Sequence, residues 1–321
     1  MRVTGPPSSS FSISLRDTPE NKLDICVLAL SDLDSMALTL TDKDGTQYES
    51  FDLGSLKMGQ AFQATSESNF QNSLVVESTQ SGKGALRHVQ NIIRLDGASN
   101  FRDFGGYRLH DGSQMAVRQY FRSENLSKLS KPDCFELHRL GIRTVFDLRT
   151  TQEIASTPNA FQISNEFEVI NVPISGTIAT FEDGLQGIFS GAICEITSDD
   201  MAQMYLDILC NFRSELLFVA SHLLARSSGP TLVHCTAGKD RTGLVVALVQ
   251  LALGVARQDI FYDYLLSNRL RTPWRMKALY PVFKEADLDI SRFRPYFSAP
   301  YQALDKSFAM IQGIVRAELS A

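Results

Sequence analysis

His234-Cys235-Thr236-Ala237-Gly238-Lys239-Asp240-Arg241-Thr242-Gly243 is the stretch that decides how this chain is read. Just before it, Thr231-Leu232-Val233 is a short apolar run behind the breaker Gly229-Pro230, which predicts a strand. Just after it, residues 242–253 predict a helix. A loop between a strand and a helix can point successive backbone N–H groups at a helix N-terminus, which is a ready site for a phosphate dianion. Gly238 permits close backbone approach. The planar fork of Arg241 can grip two phosphate oxygens. Cys235 falls at the centre of this cradle, where loop amides, helix dipole and Arg241 all favour a negative sulfur. A thiolate beneath a bound phosphate is a nucleophile aimed at phosphorus. Thr236, Ala237, Gly238, Lys239 and Thr242 are the expected phosphate-binding residues around it.

Outward from the loop, strands and helices alternate. Lys131-Pro132 opens a helix that Gly141 can close, and residues 143–148 read as a buried strand. Thr150 and Glu153 have capping-box spacing, residues 167–174 predict another strand, and Ser198-Asp199-Asp200 caps a helix through Tyr205 and Leu209. A second helix carries Leu216 to Leu224. This alternation predicts an α/β fold, a mainly parallel sheet flanked by helices. Residues 11–79 have β texture instead: an apolar run at 23–30, alternation at 38–41, the turn Asp44-Gly45 before 46–53, and a short run at 73–77. Residues 78–84 are rich in Ser, Thr and Gly and read as a linker. The expected organisation is a flexible tail at 1–10, an all-β, sandwich-like accessory domain at 11–84, and the α/β domain at 85–321.

The 321 residues carry 31 Lys+Arg and 36 Asp+Glu, a net charge of −5, which gives no electrostatic footprint for nucleic acid or an anionic membrane. No apolar run reaches the roughly 18–20 residues of a membrane-spanning helix. Residues 1–10 lack the apolar core of a secretory signal, so a soluble cytoplasmic protein is expected. The five cysteines are odd in number and lack zinc-ligand spacing, which argues against a disulfide framework. Cys26, Cys194 and Cys210, each among apolar neighbours, read as small buried hydrophobes.

Cys, five residues, then Arg, with His before and Thr-Gly after, resembles the signature of the protein tyrosine phosphatase superfamily. Further blocks narrow the likeness: Asn100-Phe101-Arg102-Asp103-Phe104-Gly105-Gly106-Tyr107, Arg122-Ser123-Glu124-Asn125-Leu126, residues 140–149 and Asp263-Tyr264-Leu265-Leu266-Ser267-Asn268. Together with the HCxxGKDRTG loop they resemble the bacterial and fungal tyrosine/serine phosphatase (mycobacterial PtpB-like) family, over roughly residues 88–316. The resemblance implies a cysteine-phosphatase-like fold with no metal or other cofactor. It implies that Cys235 attacks phosphorus to form a cysteinyl-phosphate, that Arg241 and the loop amides stabilise the transition state, and that water then hydrolyses the intermediate. It implies that Thr242 hydrogen-bonds the sulfur and that His234 orients the loop. The substrates implied are phosphorylated proteins or phosphoinositides.

The general acid stays open. Where relatives carry an Asp after the second strand, this chain has Ser175. Asp240 is the favoured candidate, ahead of the Glu182/Asp183 loop and of Asp103 or Asp147. Lys239 either meets a second phosphate or balances Asp240. Arg102 and Asp103 read as an ion pair fixing the Gly105-Gly106 turn, with a place at the rim as the alternative. Asp147 and Arg149 read as a network around the loop. A stripe from Met276 to Phe283 is a candidate lid. The competing reading from another class is a phosphate-binding adaptor in which the β unit does the work.

Overall fold

The computed structural model describes residues 11–17, 23–29, 33–41, 47–57, 60–66, 74–80, 83–90, 92–93, 95–176, 181–225 and 229–319. The chain divides into two compact units, Met1–Ile93 and Arg94–Ala321. In the first, seven strands run in chain order: β1 (Phe11–Asp17), β2 (Leu23–Ala29), β3 (Leu33–Thr41), β4 (Gln47–Leu56), β5 (Ala61–Ser66), β6 (Leu74–Gln80) and β7 (Lys83–Gln90). They form two antiparallel sheets, ordered β1-β2-β5 and β4-β3-β6-β7. Residues 78–80 and 83–84, expected in a linker, are therefore paired strand. Ser78 pairs with Leu86 and Gln80 with Lys83 across neighbouring strands, because Ser and Thr sit readily on a pleated surface. The turn expected at Asp44-Gly45 lies outside the described residues, although β3 and β4 on either side do pair.

The second unit runs β8 (Arg102–Asp103), β9 (Tyr120–Ser123), α1 (Lys131–Arg139), β10 (Thr144–Asp147), α2 (Thr151–Ser156), α3 (Phe161–Glu166), β11 (Glu168–Asn171), α4 (Phe181–Phe189), α5 (Ser198–Asn211), α6 (Arg213–Ala225) and β12 (Thr231–His234). It continues with α7 (Arg241–Ala252), α8 (Arg257–Leu270), α9 (Thr272–Glu285), the short α10 (Arg294–Phe297) and α11 (Tyr301–Ile314). The sheet order is β11-β10-β12-β9-β8, parallel throughout except that β8 runs antiparallel to β9. This is an α/β fold on a mixed, mainly parallel sheet. Every residue of β9, β10 and β12 is buried, as expected of strands covered on both faces.

Local chemistry explains the helix starts. Ser130 with Asp133, Thr150 with Glu153 and Thr197 with Asp200 each close a capping box. The α5 cap is thus Thr197, one residue before the cluster expected to supply it, because only Thr197 has the three-residue spacing to Asp200. Gly141, with φ +77°, follows the last turn of α1 in the left-handed conformation that glycine adopts freely. Helix α7 is buried continuously from Thr242 to Gln250, so it is the central helix of the core. Among the described residues no single helix is long and apolar enough to cross a membrane.

Two expectations about surface residues fail. Cys194 and Cys210 are exposed, the first in the loop after α4 and the second on the outer face of α5. The side chain of Cys26 lies outside the described residues. In the stripe on α9, Tyr280 and Val282 face solvent but Leu279 and Phe283 are buried in the core, so the stripe is not one continuous apolar face. In register, Asp147 lies opposite His234, and His234 opposite Ser123. The loop after β12 therefore emerges at the carboxyl edge of the middle strand, where open α/β sheets bind ligands.

Candidate active site

Cys235 is buried at the start of the loop, and its Sγ accepts the Gly238 backbone N–H at 3.2 Å. Gly238 turns the chain with φ +65°, and a Cβ there would sit 2.1 Å from the Ser123 carbonyl oxygen. Only glycine satisfies both demands. The carbonyls on the outside of the loop are pinned. Asn100 Nδ2 donates to Ala237 and Gly238 at 3.1 Å, Arg122 donates to Gly238 at 2.7 Å, and Asn125 donates to Thr236 at 3.2 Å. With three of its carbonyls held outward, the loop presents the Gly238 N–H to the sulfur. The Thr242 hydroxyl is buried without a hydrogen-bond partner among the described residues. The bond expected from it to the sulfur is not made in this state.

Arg241 is held by a carboxylate that the sequence showed only as a helix cap. Its two amino nitrogens meet the two oxygens of Glu153, each at 2.7 Å. Glu153 also accepts the Thr236 hydroxyl and the Thr150 N–H, tying the first turn of α2 to the loop. Arg241 Nη1 further donates to the Ile174 carbonyl at 3.0 Å. The Nε–H of the guanidinium makes no hydrogen bond among the described residues, so that edge of the fork remains for a ligand. Burial alone would lower the Arg241 pKa, but Glu153 and the Cys235 sulfur outweigh it and raise it. Glu153 answers in kind: burial pushes its carboxyl up, and Arg241 and Thr236 hold it below its ordinary value.

Asp240 stands at the entrance to α7. Lys239 Nζ donates to both its oxygens, at 2.8 and 2.7 Å, and the Tyr205 hydroxyl donates to Oδ1 at 2.6 Å. Lys239 thus balances Asp240, the blander of its two readings. Burial lowers the Lys239 pKa, against the pull of Asp240.

A buried polar layer supports the loop from beneath. Asp263 accepts from Arg102 Nε at 3.0 Å and from Arg122 Nη1 at 2.5 Å. Arg102 also donates to Asn100 Oδ1 at 2.6 Å, and so orients the amide that holds the loop carbonyls. The expected Arg102–Asp103 pair does not form, because the two side chains of a strand's successive residues point to opposite faces. Asp103 instead accepts the N–H groups of Gly105, at 2.8 Å, and of Arg118. Burial pushes its carboxyl up to about 7. Gly105 itself is confined, since a Cβ would lie 2.1 Å from the Ala116 carbonyl oxygen.

On the other side, Asp147 and Arg149 form a two-pronged pair, with Arg149 Nη2 to Asp147 Oδ2 at 2.7 Å and Nε to Oδ1 at 2.9 Å. His234 Nδ1 lies 3.2 Å from the Cys235 carbonyl, and Nε2 lies 3.6 Å from Asp147. Burial lowers the His234 pKa against the pull of Asp147, and because a carbonyl only accepts, Nδ1–H donates to the loop backbone. The structure therefore gathers His234 to Thr242 into one site. Arg102 and Asp147 lie in its supports, and Asp103 holds a turn behind them. Glu182 and Asp183 fall on α4, and their side chains lie outside the described residues. Among the described residues no group of His, Cys, Asp and Glu is set to hold a metal.

A sequence model of the tyrosine phosphatase family matches residues 93–314. The chain belongs to the tyrosine phosphatase family. It is accordingly a phosphoric monoester hydrolase, and the loop around Cys235 makes it a cysteine-dependent one. It is 31% identical over 189 residues to a Cupriavidus necator protein whose name is that of a tyrosine-protein phosphatase, covering 58% of this chain and 67% of that one. It is 31% identical over 196 residues to the triple specificity protein phosphatase PtpB of Mycobacterium tuberculosis, covering 55% of this chain and 69% of that one. Among solved structures, TpbA of P. aeruginosa with phosphotyrosine matches at TM-score 0.32 and 17% identity, over 65% of this chain and 90% of that one. Likeness at that level places no residue of this chain.

Proposed function

We propose that this tyrosine phosphatase family member hydrolyses phosphotyrosine, and phosphoserine or phosphothreonine more slowly, through a cysteinyl-phosphate on Cys235. The observation that carries the reading is the pairing of a buried sulfur that accepts a loop N–H with a guanidinium whose far end Glu153 already fixes. Arg241 then meets the phosphoryl oxygens already oriented, which lowers the entropy cost of the transition state. Cys235 Sγ forms the S–P bond as the P–O bond to the leaving group breaks. Asp240 gives its proton to the leaving oxygen. In the second step Asp240 takes a proton from water, the water oxygen bonds to phosphorus, and the electron pair of the S–P bond returns to sulfur. The unpartnered Thr242 hydroxyl is the donor that would ease this departure.

The name triple specificity carried by the mycobacterial relative supports a broad phosphomonoester range. A second reading, an inositol phosphate or phosphoinositide substrate, is favoured by one observation. Arg271, buried and paired with Glu124 at 2.9 Å, brings a second guanidinium near Lys239. In the same spirit, the strands of the first unit serve as an accessory all-β domain. The exposed free thiols of Cys194 and Cys210 suit a reducing cytoplasm, where the nucleophile also stays reduced.

The test sets phosphotyrosine, phosphoserine and phosphothreonine peptides against phosphatidylinositol phosphates, with wild type and Asp240→Asn. The reading expects a higher kcat/KM on phosphotyrosine than on any lipid. It expects Asp240→Asn to lose about 10²–10⁴-fold on substrates with poor leaving groups and far less on activated aryl phosphates. A preference for inositol lipids would move the assignment to the second reading.

A further inference from the structure

Asp240 is tied to two buried tyrosines from separate helices. Tyr205 of α5 places its hydroxyl 2.6 Å from Asp240 Oδ1 and 2.8 Å from the hydroxyl of Tyr264 on α8. The Tyr264 hydroxyl lies 3.2 Å from the backbone carbonyl of Pro300. The rings meet edge to face, with centroids 6.3 Å apart. Gly243 makes the room for this, since a Cβ there would come within 3.2 Å of the Tyr264 ring.

Each hydroxyl has one proton, and counting protons along the line gives two complete arrangements. With Asp240 ionised, Tyr264 donates to Tyr205 and Tyr205 donates to the carboxylate. With Asp240 protonated, its O–H donates to Tyr205, Tyr205 turns to Tyr264, and Tyr264 turns to the Pro300 carbonyl. That carbonyl can only accept, so it ends the line. The two arrangements interconvert by rotation of two O–H bonds, with no heavy atom displaced.

We propose that Tyr205 and Tyr264 form a reversible hydroxyl relay that holds Asp240 in place in both its protonated and its ionised state. The same carboxyl can then act as general acid in the first step and general base in the second. This rests on the reading of Asp240 as the acid–base residue. Both tyrosines are positioning residues. The proton given to the leaving oxygen is the one on Asp240, the proton regained comes from water, and the phenols only reorient. Neither phenol ionises, because burial first and the nearby Asp240 second raise both well above the ordinary tyrosine value. The other groups facing Asp240 are Lys239, Arg241 and Cys235 of its own loop, with Arg122 beneath Tyr264. The acceptor line through Tyr264 to the Pro300 carbonyl is what supports the protonated carboxyl.

The relay makes predictions of opposite sign. In Tyr264→Phe, a protonated Asp240 would force the Tyr205 hydroxyl to point at a ring edge, an orphaned buried donor. The ionised form gains, and the basic limb of the kcat/KM profile for phenyl phosphate moves down by about one pH unit or more. In Tyr205→Phe both forms lose a partner, but the bond to the charged carboxylate is the stronger of the two, so the protonated form gains and the same limb moves up. Gly243→Ala, a milder push on the Tyr264 ring, moves the limb in the Tyr264→Phe direction. These profiles are measured beside Asp240→Asn, with thermal melts to confirm folding. Unmoved limbs, or limbs that move the same way in both tyrosine variants, overturn the relay while Asp240→Asn still abolishes the basic limb. If Asp240→Asn keeps both the rate and the limb, the acid–base reading fails and the relay falls with it.

Discussion

Glu153→Ala is the substitution that best exposes the physics of the site. The carboxylate meets both amino nitrogens of Arg241 at 2.7 Å, accepts the Thr236 hydroxyl, and closes the α2 capping box by accepting the Thr150 N–H at 2.9 Å. Removing one partner of a buried pair costs about 3–5 kcal/mol, and losing the cap would cost about 0.5–2 kcal/mol by itself. The two overlap in one side chain. Arg241 is 12% exposed and keeps the Ile174 carbonyl, so the low end applies, a loss of about 3 kcal/mol. At roughly 2–4 °C per kcal/mol for a unit of this size, the melting temperature falls by about 6–12 °C. The guanidinium also loses its orientation, and kcat/KM on an aryl phosphate falls about 10²-fold.

The pH dependence of the same site has a fixed sign. Despite its burial, Arg241 and Thr236 hold the Glu153 carboxyl below its ordinary 4.5 in the folded protein. Between the folded and ordinary values the unfolded chain binds this proton more readily, so stability rises with pH there. The contribution is present above 4.5 and is lost as pH falls through the lower, folded value. The stability gap between wild type and Glu153→Gln should therefore close as the pH is taken below that point. Melts and steady-state kinetics across pH read both effects. A Glu153→Ala protein that melts within about 2 °C of wild type and keeps its kcat/KM would refute the reasoning.

Other substitutions probe the supports. Gly238→Ala puts a Cβ 2.1 Å from the Ser123 carbonyl oxygen at a φ of +65°, so the loop must open. Its kcat/KM should fall at least about 10²-fold on every phosphomonoester, read against an unchanged circular dichroism spectrum. Asp263→Ala leaves Arg102 and Arg122 buried with no carboxylate between them. Burial already lowers Arg122 to about 10, so this variant should lose about 3–5 kcal/mol in urea unfolding.

The order of strands and helices in the second unit was legible because local signals agreed with the tertiary ones. Lys131-Pro132, the Thr150/Glu153 spacing and Gly141 each acted within one turn of the chain. The loop residues were legible for the same reason, being contiguous. What escaped the sequence was the pairing of most supports that cross the fold, although Asp147, Arg149 and His234 were read as supports of the loop. Glu153 shows only as a cap until α2 is seen packed against the loop. Asp263 sits 161 positions from Arg102, and Tyr205 sits 35 from Asp240. The sequence placed Tyr205 only on a helix; it is buried in the core, with its hydroxyl put to use. Residues 78–80 and 83–84 were misread because Thr and Ser sit in paired strands as well as in linkers. Register, which composition does not carry, separates the two.

The central claim is that Cys235 carries the phosphoryl group. The direct measurement is rapid quench of the protein with a radiolabelled aryl phosphate in EDTA and reductant, followed by peptide mapping, for wild type and Cys235→Ser. The account predicts turnover by wild type, label on the peptide containing Cys235, and neither in Cys235→Ser. Turnover that survives in Cys235→Ser, or label on any other residue, would contradict it.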